Sequence, residues 1–560
     1  MSPERLLKHF EQISEAPDAV QQLRRFILDL AVRGKLVKQN AKDEPVGLLV
    51  AQIQTERARR AKSGDSIYPQ ASVESAEGKF LIPPSWKWVR LGFVTKVIMG
   101  QSPPGVTYNT LGEGDPLING PVEFSEGAFG TTALNQYTTA PTKRCKKGDL
   151  LLCVRGSTTG RTNVAGFDAC IGRGVAALQP LYEDKFIRLF VWASREQIIE
   201  MGRGIAFPSV SRQQIEDLPT PLPPLAEQLR IVAKVDELMA LCDKFDAAQA
   251  KREKRRDRLV AAALHALNNG DASPAPGTRP TFKDSAGFYL NHLPRLTTRP
   301  EHIHQLRQTI LNLAVSGKLV KQNPSDEPAF ELLKKIEKAK GGLIKIGRAR
   351  KTHLFQKTNN SESPFELPEK WQWISLMDLG VTQTGNTPSK NNPEYFGTYI
   401  SFVKPADLTG VEINYAGEGI SQEGLAYARL IPKGSVLMVC IGSSIGKVNR
   451  TARDICCNQQ INTITPFVAE CGSFIALSLK ASFFQRMILD QAGAGTLPII
   501  SKGKWEQLPV PMPPLSEQQR IVAKVDGLMA LCNKLESRLT TNATTRHQLL
   551  EATLKEGLVL

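Results

Sequence analysis

Two stretches of the chain place apolar residues at the same helical spacing. Pro221–Phe245 reads PLPPLAEQLRIVAKVDELMALCDKF, and Pro511–Leu535 reads PMPPLSEQQRIVAKVDGLMALCNKL, 290 residues later without a gap. Ile231, Val235, Leu238, Cys242 and Phe245 step by four, three, four and three; Ile521, Val525, Leu528, Cys532, Leu535 and Leu539 repeat that stepping. This is a heptad-like seam on a long helix. The prolines ahead of each seam suit a strand exit or a first helical turn, not a helix interior. The first of these helices is expected from about Leu225 towards Asn268, a length of about 60 Å at 1.5 Å per residue.

The repetition extends well beyond the seam. A helix over about Ala19–Val32 presents Leu23, Ile27, Leu30 and Ala31 on one face, and Gly34 falls where a left-handed cap would close it. Gly34 to Asn40, followed by Asp43-Glu44-Pro45, returns as Gly317 to Asn323 with Asp326-Glu327-Pro328. A further basic helix is expected after each copy, over Val46–Lys62 and Ala329–Lys340. Trp86 and Trp88, echoed by Trp371 and Trp373, mark the entries to two globular segments. Within those segments short β-like runs are broken by glycine and proline, as at Leu150–Val154, Val175–Leu178 and Ser435–Cys440. The reading is a mixed α/β (α+β) chain with a pseudo-two-fold internal duplication. Asn268–Pro300 between the copies reads as a poorly ordered linker with a short structured piece around Phe288-Tyr289-Leu290.

Charge adds a class of partner. Lys and Arg number 71 against 55 Asp and Glu, a net charge of +16 and a pI near 9.4, which favours a nucleic-acid partner. No signal peptide and no apolar run of about 18 residues is present, so a cytoplasmic protein without membrane contact is expected. The nine cysteines include no C-x-x-C and read as reduced core thiols. Scattered histidines predict no metal site, and His302 with His304 read as a helix start.

Two motifs resemble catalytic signatures and fail on detail. Asn392-Pro393-Glu394-Tyr395 lacks the second proline of the adenine-methyltransferase tetrad and has no glycine-rich cofactor loop to accompany it. Gly442–Lys447 is one residue short of a phosphate-binding loop, and Val448 stands where Ser or Thr belongs. Gly156–Arg161 fills the same slot in the first copy, so this is a shared loop with a basic tip. No catalytic residue is expected.

Two long helices related by the duplication are expected to pair antiparallel and hold the globular domains at fixed separation, with the chain termini close together. Such a spacer suits DNA half-sites roughly 34–36 Å apart. The outer half of the first helix is sharply basic, at Lys251, Arg252, Lys254, Arg255, Arg256 and Arg258.

This arrangement resembles the specificity subunit of type I restriction–modification enzymes across nearly the whole chain. The likeness rests on Leu30–Val37 with Leu313–Val320 and on Pro223–Val232 with Pro513–Val522. It rests also on the openings Gly100–Gly105 with Tyr108-Asn109 and Thr384–Ser389 with Pro393–Gly397, and on Ile171–Ala176 and Cys457–Asn462. The resemblance implies an N-terminal helical segment (1–75) that closes onto the C-terminal helix, and a first target-recognition domain (76–222). A central helical region (223–363, linker 268–300), a second target-recognition domain (364–512) and a C-terminal long helix (513–560) follow. It implies that each domain reads half of a bipartite site in double-stranded DNA. The paired coiled-coil-like helices would set the spacing and dock two methyltransferase subunits, which a restriction–translocase subunit joins. This chain would bind no cofactor; S-adenosylmethionine, ATP and magnesium would belong to the partners. The alternative is a stand-alone bipartite DNA-binding protein of architectural or regulatory type.

Phosphate contacts call for Lys or Arg, and base readout for Arg, Lys, Asn or Gln at groove depth. The candidates are Arg144, Lys146, Arg155, Arg161 and Arg173 in the first domain. In the second they are Lys390, Lys404, Lys447, Asn458, Gln459 and Gln460. Arg161→Ala is expected to lower affinity by about 1–3 kcal/mol if Arg161 reads a base. An equal loss on all sequences with a shallower salt slope would mark a phosphate contact.

Overall fold

In the computed structural model, residues 15–559 are described apart from 17, 65–77, 79, 126–129, 183–184, 203–208, 270–280, 346–364 and 494–496. Outside the globular domains the helices are α1 (Ala19–Val32), α2 (Val46–Lys62), α3 (Leu225–Asn269), α4 (Phe282–Leu296), α5 (Pro300–Val315), α6 (Ala329–Lys345) and α7 (Leu515–Val559). The chain divides into two compact units, Met1–Lys251 with Ala543–Leu560 and Arg252–Asn542. Each 45-residue helix, α3 and α7, therefore starts in one unit and finishes in the other.

In the first unit, a four-stranded antiparallel sheet forms from β1 (Thr95–Met99), β3 (Leu150–Cys153), β4 (Thr162–Val164) and β6 (Val175–Pro180), in the order β1-β6-β3-β4. Strand β2 (Asp115–Ile118) runs parallel to β5 (Ala169–Ile171) in a second sheet. All four residues of β3 are buried, as their unbroken apolar run requires. The second unit repeats the plan with β7 (Gly380–Thr384), β9 (Val436–Val439), β10 (Val448–Arg450) and β12 (Ile461–Pro466), in the order β7-β12-β9-β10. Here β8 (Phe396–Val403) runs parallel to β11 (Cys456–Cys457). Each domain is closed at its base by an entry strand paired with its exit strand, Lys87–Arg90 with Pro219–Leu222 and Gln372–Ser375 with Pro509–Met512. Two-stranded ribbons are all edge, which is where the prolines of the exit strands fit.

The duplicated words dock into one another. In the second unit Trp371 Nε1 donates to Glu517 Oε2 (3.0 Å) and Gln322 Nε2 donates to Glu517 Oε1 (2.6 Å). Arg520 forks onto Asp326 at 3.1 and 2.5 Å, and Gln518 Nε2 satisfies the carbonyl of Pro513 (2.9 Å). In the first unit Gln39 donates to Glu227 (2.6 Å), with the Trp86 indole beside the same carboxylate. Arg230 forks onto Asp43 at 2.9 and 2.6 Å, and Gln228 serves Pro223 (2.9 Å). Pro-Pro-Leu-x-Glu-Gln-x-x-Arg and Lys-Gln-Asn…Asp-Glu-Pro are thus the two halves of one clamp, which explains why they recur together. The carboxylates also face the N-terminal dipoles of α3 and α7.

The clamps carry a pH dependence. Arg230 and Arg520 hold Asp43 and Asp326 below the usual aspartate range, while burial pushes Glu227 and Glu517 above the usual glutamate range. The two glutamates favour the fold increasingly as pH falls through their raised pKa values towards the unfolded value. The two aspartates stabilise it above the unfolded value, and that contribution is lost as pH falls through their depressed values. Denaturant midpoints should hold or rise slightly on mild acidification and then fall below about pH 4. Arg230→Ala with Arg520→Ala should flatten the acid limb.

Two sequence expectations change, and the seams have partners that periodicity did not name. Ile231, Val235 and Cys242 of α3 share a core with Val20, Ile27, Leu28, Ala31, Trp86 and Phe186. Ile521, Val525 and Cys532 of α7 do likewise with Ile303, Ile310, Ala314, Trp371 and Phe474. The linker is helical from Phe282, where Thr281 and Asp284 form a capping box and Tyr289 and Leu296 are buried against Val260, Leu264 and Leu267; its residues 270–280 lie outside those described. α6 extends to Lys345.

Gly34 and Gly317 end α1 and α5 in the left-handed region, at φ +69° and +73°, with Lys35 and Lys318 amides bonded back to Leu30 and Leu313 carbonyls. A Cβ on Gly34 would stand 2.5 Å from Pro83 Cγ. Gly34→Ala should therefore cost at least about 1–2 kcal/mol from backbone conformation alone, measured by urea unfolding.

Candidate nucleic-acid interface

The first domain opens an exposed cleft of about 670 Å³ lined by Ser102, Tyr108, Asn119, Arg155, Gly156, Arg173, Gly174 and Ser209. Its floor follows from the strand ends. Beyond β1, Gly100 donates to the Val175 carbonyl (2.9 Å), and a side chain there would stand 2.2 Å from the Gly172 carbonyl. That close approach lets Ser102 Oγ accept the Arg173 amide (3.1 Å) and fixes the turn between β5 and β6. Arg155 leaves β3 and bridges to Ser209. Arg155 and Arg173 are both exposed, and no ion-pair partner for either is found among the described residues.

The other first-domain candidates are placed differently. Arg161 is half-buried at the tip of the loop from Gly156, whose Gly156 and Gly160 both have φ near +80°. Arg144 is paired with Asp115 (2.6 Å), and Lys146 lies exposed on the turn before β3. Neither lines the cleft. Sequence reasoning picked Arg155 and Arg173 but missed Asn119, Ser102, Tyr108 and Ser209 as lining residues. Asn119 carries no motif of its own; only its place one residue beyond β2 marks it.

The second domain builds the same frame from other side chains. Gly385 donates to the Ile461 carbonyl (3.0 Å) as Gly100 does to Val175, and Cys440 to Gln460 (2.8 Å) as Val154 does to Gly174 (2.9 Å). The turn between β11 and β12 carries Asn458, Gln459 and Gln460. Thr387 Oγ1 donates to Gln459 Oε1 (2.7 Å), and Asn458 Nδ2 to Gln460 Oε1 (2.9 Å). Asn458 N bonds the Val403 carbonyl (3.2 Å), which brings Lys404 to the same turn, where it pairs with Glu418. Lys447 is exposed at the tip of the Gly442 loop, and Lys390 is exposed on the loop before the turn at Pro393–Tyr395. Where the first domain has Arg155 bridged to Ser209, the second has Ile441 bridged to Ile499. Leu497 and Ile499 beside it are about half exposed.

The decoy motifs resolve as structure. Tyr395 of the Asn-Pro-Glu-Tyr turn stacks on Tyr427, with centroids 4.4 Å apart. All nine cysteines are buried and free, with thiols such as Cys145 and Cys457 pushed up to about 12 by burial. Among the described residues no group of three or more His, Cys, Asp or Glu is placed to hold a metal ion, and no helix is long and apolar enough to cross a membrane.

Two versions of one β-rich frame, each on its own long helix and each with a differently lined surface, define a duplicated recognition protein. The family model for the type I restriction modification DNA specificity domain matches residues 83–252 and again 368–544, and the chain belongs to that family. It is 27% identical to the type I restriction enzyme EcoAI specificity subunit of Escherichia coli, over 95% of this chain and 93% of that one. To the EcoEI specificity subunit of the same organism it is 25% identical, with the same shares covered. The crystal structure of the HsdS subunit from Thermoanaerobacter tengcongensis is 31% identical over 40% of this chain and 55% of that chain, with a TM-score of 0.29. This chain thus spans about half of that solved protein's length.

Proposed function

We propose that this chain is the non-catalytic, sequence-reading component of a type I restriction–modification assembly, its two domains each reading one half of a bipartite DNA site. The observation that carries this reading is the frame repeated with different side chains at equivalent places, Arg173 against Gln459 and Arg155 against Ile441. Two copies of one reader with different linings suit a target with two unlike halves. α3 and α7 set the separation of the halves and offer docking surface to two methyltransferase subunits, and a restriction–translocase subunit joins that core. The partners bring S-adenosylmethionine, ATP and magnesium, and the cytoplasm is where they meet DNA.

The test is base-resolution mapping of adenine methylation in cells expressing the chain with its methyltransferase, against cells lacking only this chain. A two-part motif that disappears with the chain is the expected result. Unchanged methylation would sink the proposal and leave the stand-alone DNA-binding alternative, which requires tight binding to a bipartite site by the purified chain alone.

A further inference from the structure

The matched frames allow the two linings to be compared position by position. Ile118 and Val403, each at the end of a strand with a parallel partner, accept from the amides of Gly172 and Asn458. Val175 and Ile461 open the next strand, and each accepts the glycine amide beyond β1 or β7. Arg173 and Gln459 therefore occupy one equivalent slot, and Ser102 and Thr387 hold that slot from below.

The supports differ in a way that suits the side chain each one serves. Ser102 takes the backbone amide of Arg173, and among the described residues the guanidinium has no ion-pair partner. Thr387 donates its hydroxyl to Gln459 Oε1 and so holds the side chain by its amide end. That oxygen keeps a lone pair, and among the described residues Nε2 has no partner for its two donors. The neighbouring slot changes in parallel. In the first domain it adds a second guanidinium, Arg155, exposed and without an ion-pair partner among the described residues. In the second it is apolar, with Ile441 flanked by Leu497 and Ile499.

Base edges distinguish these two linings. Guanine presents two acceptors in the major groove, O6 and N7, which a guanidinium fork satisfies; adenine presents an N6 donor beside the N7 acceptor, which a glutamine amide satisfies, and thymine adds a methyl group that apolar side chains contact. We infer that Arg173 and Gln459 are equivalent specificity-determining residues, Arg173 reading a G·C pair in the first half-site and Gln459, with Ile441, an A·T pair in the second. This rests on the proposal that each domain reads one half-site.

The experiment is base-resolution methylation mapping of the full assembly with the wild-type chain, Arg173→Gln and Gln459→Arg. The wild-type motif is expected to hold a G·C pair in one half that Arg173→Gln shifts towards A·T, leaving the other half as an internal control of folding. Gln459→Arg is expected to shift an A·T pair, other than the methylated adenine, towards G·C in the other half. Discrimination at the affected pair should change by about 5- to 150-fold. A wild-type chain that yields no bipartite motif defeats the proposed function itself. A wild-type motif that both variants leave unaltered overturns only the base assignments. If a variant abolishes methylation, the purified complex is titrated against duplexes differing at that single pair. Loss confined to the wild-type pair supports the assignment; equal loss on every duplex, with weaker salt dependence, marks a phosphate contact and overturns it.

Discussion

Trp371→Ala should cost the second unit about 3–5 kcal/mol, the range for deleting a buried large aromatic side chain. Trp371 is 4% exposed and meets Phe474 edge-on, with centroids 6.0 Å apart. It also donates to Glu517, a carboxylate only 1% exposed at the start of α7. Removing the indole therefore opens a cavity and takes one of two side-chain donors from a buried acceptor, leaving Gln322 alone. Trp371→Phe separates the terms: it keeps most of the packing and deletes only the donor, for about 1–3 kcal/mol. Urea unfolding gives the magnitudes, and hydrogen exchange over residues 515–530 gives the location. A loss under about 1 kcal/mol for the alanine variant would show that the tryptophan merely covers the clamp. Equal losses for both variants would assign the whole effect to the hydrogen bond.

That clamp also shows what the sequence could and could not convey. The repeats around Glu227 and Glu517, and around Asp43 and Asp326, were legible as words because both copies must keep the same donors and acceptors in register. Their meeting was not legible, since periodicity says that a face is apolar but not which element covers it. The α3 seam has heptad spacing, and α1 and the first domain pack on it as well. Strands such as Leu150–Cys153 announced themselves by unbroken apolar runs. The helix at Phe282–Leu296 was hidden by the proline and glycine preceding it and by Pro294 in its last turn, though Thr281 with Asp284 was a readable start. For the candidate interface, residue type singled out Arg155, Arg173 and Gln459 as candidates. It could not separate them from Arg144, which spends its charge on Asp115, or Lys404, which spends its charge on Glu418. Ion pairing between residues distant in sequence decides that, and only the fold supplies it.

Leu550→Asp should release the far end of α7 from α1, with an expected loss of several kcal/mol in the first unit for a buried, unpaired carboxylate. Leu550 is fully buried with Ala16, Ala19 and Leu554, and Leu23 and Phe26 pack around them. The corresponding contact in the second unit is Val260 and Leu264 of α3 against Tyr289, Leu296 and Leu306. Polar contacts repeat as well: Lys35 Nζ reaches the Leu558 carbonyl (2.6 Å), and Lys318 Nζ the Asn268 carbonyl (2.9 Å). The charges around the two contacts are reversed, however. On α3 the acid Asp257 takes His302 and Arg299, whereas on α7 the bases Arg546 and His547 take Glu15 and Asp18. Opposite polarity favours α7 on α1 and α3 on α5 over the exchanged pairings, where acid would face acid and base would face base. Hydrogen exchange should therefore accelerate in α1 and over residues 543–558 in Leu550→Asp, while α4 and α5 keep their protection. Val260→Asp should give the converse pattern. Acceleration of both regions in either variant would mean that the two contacts form one cooperative unit, and the repeat would then be a feature of the sequence rather than of stability.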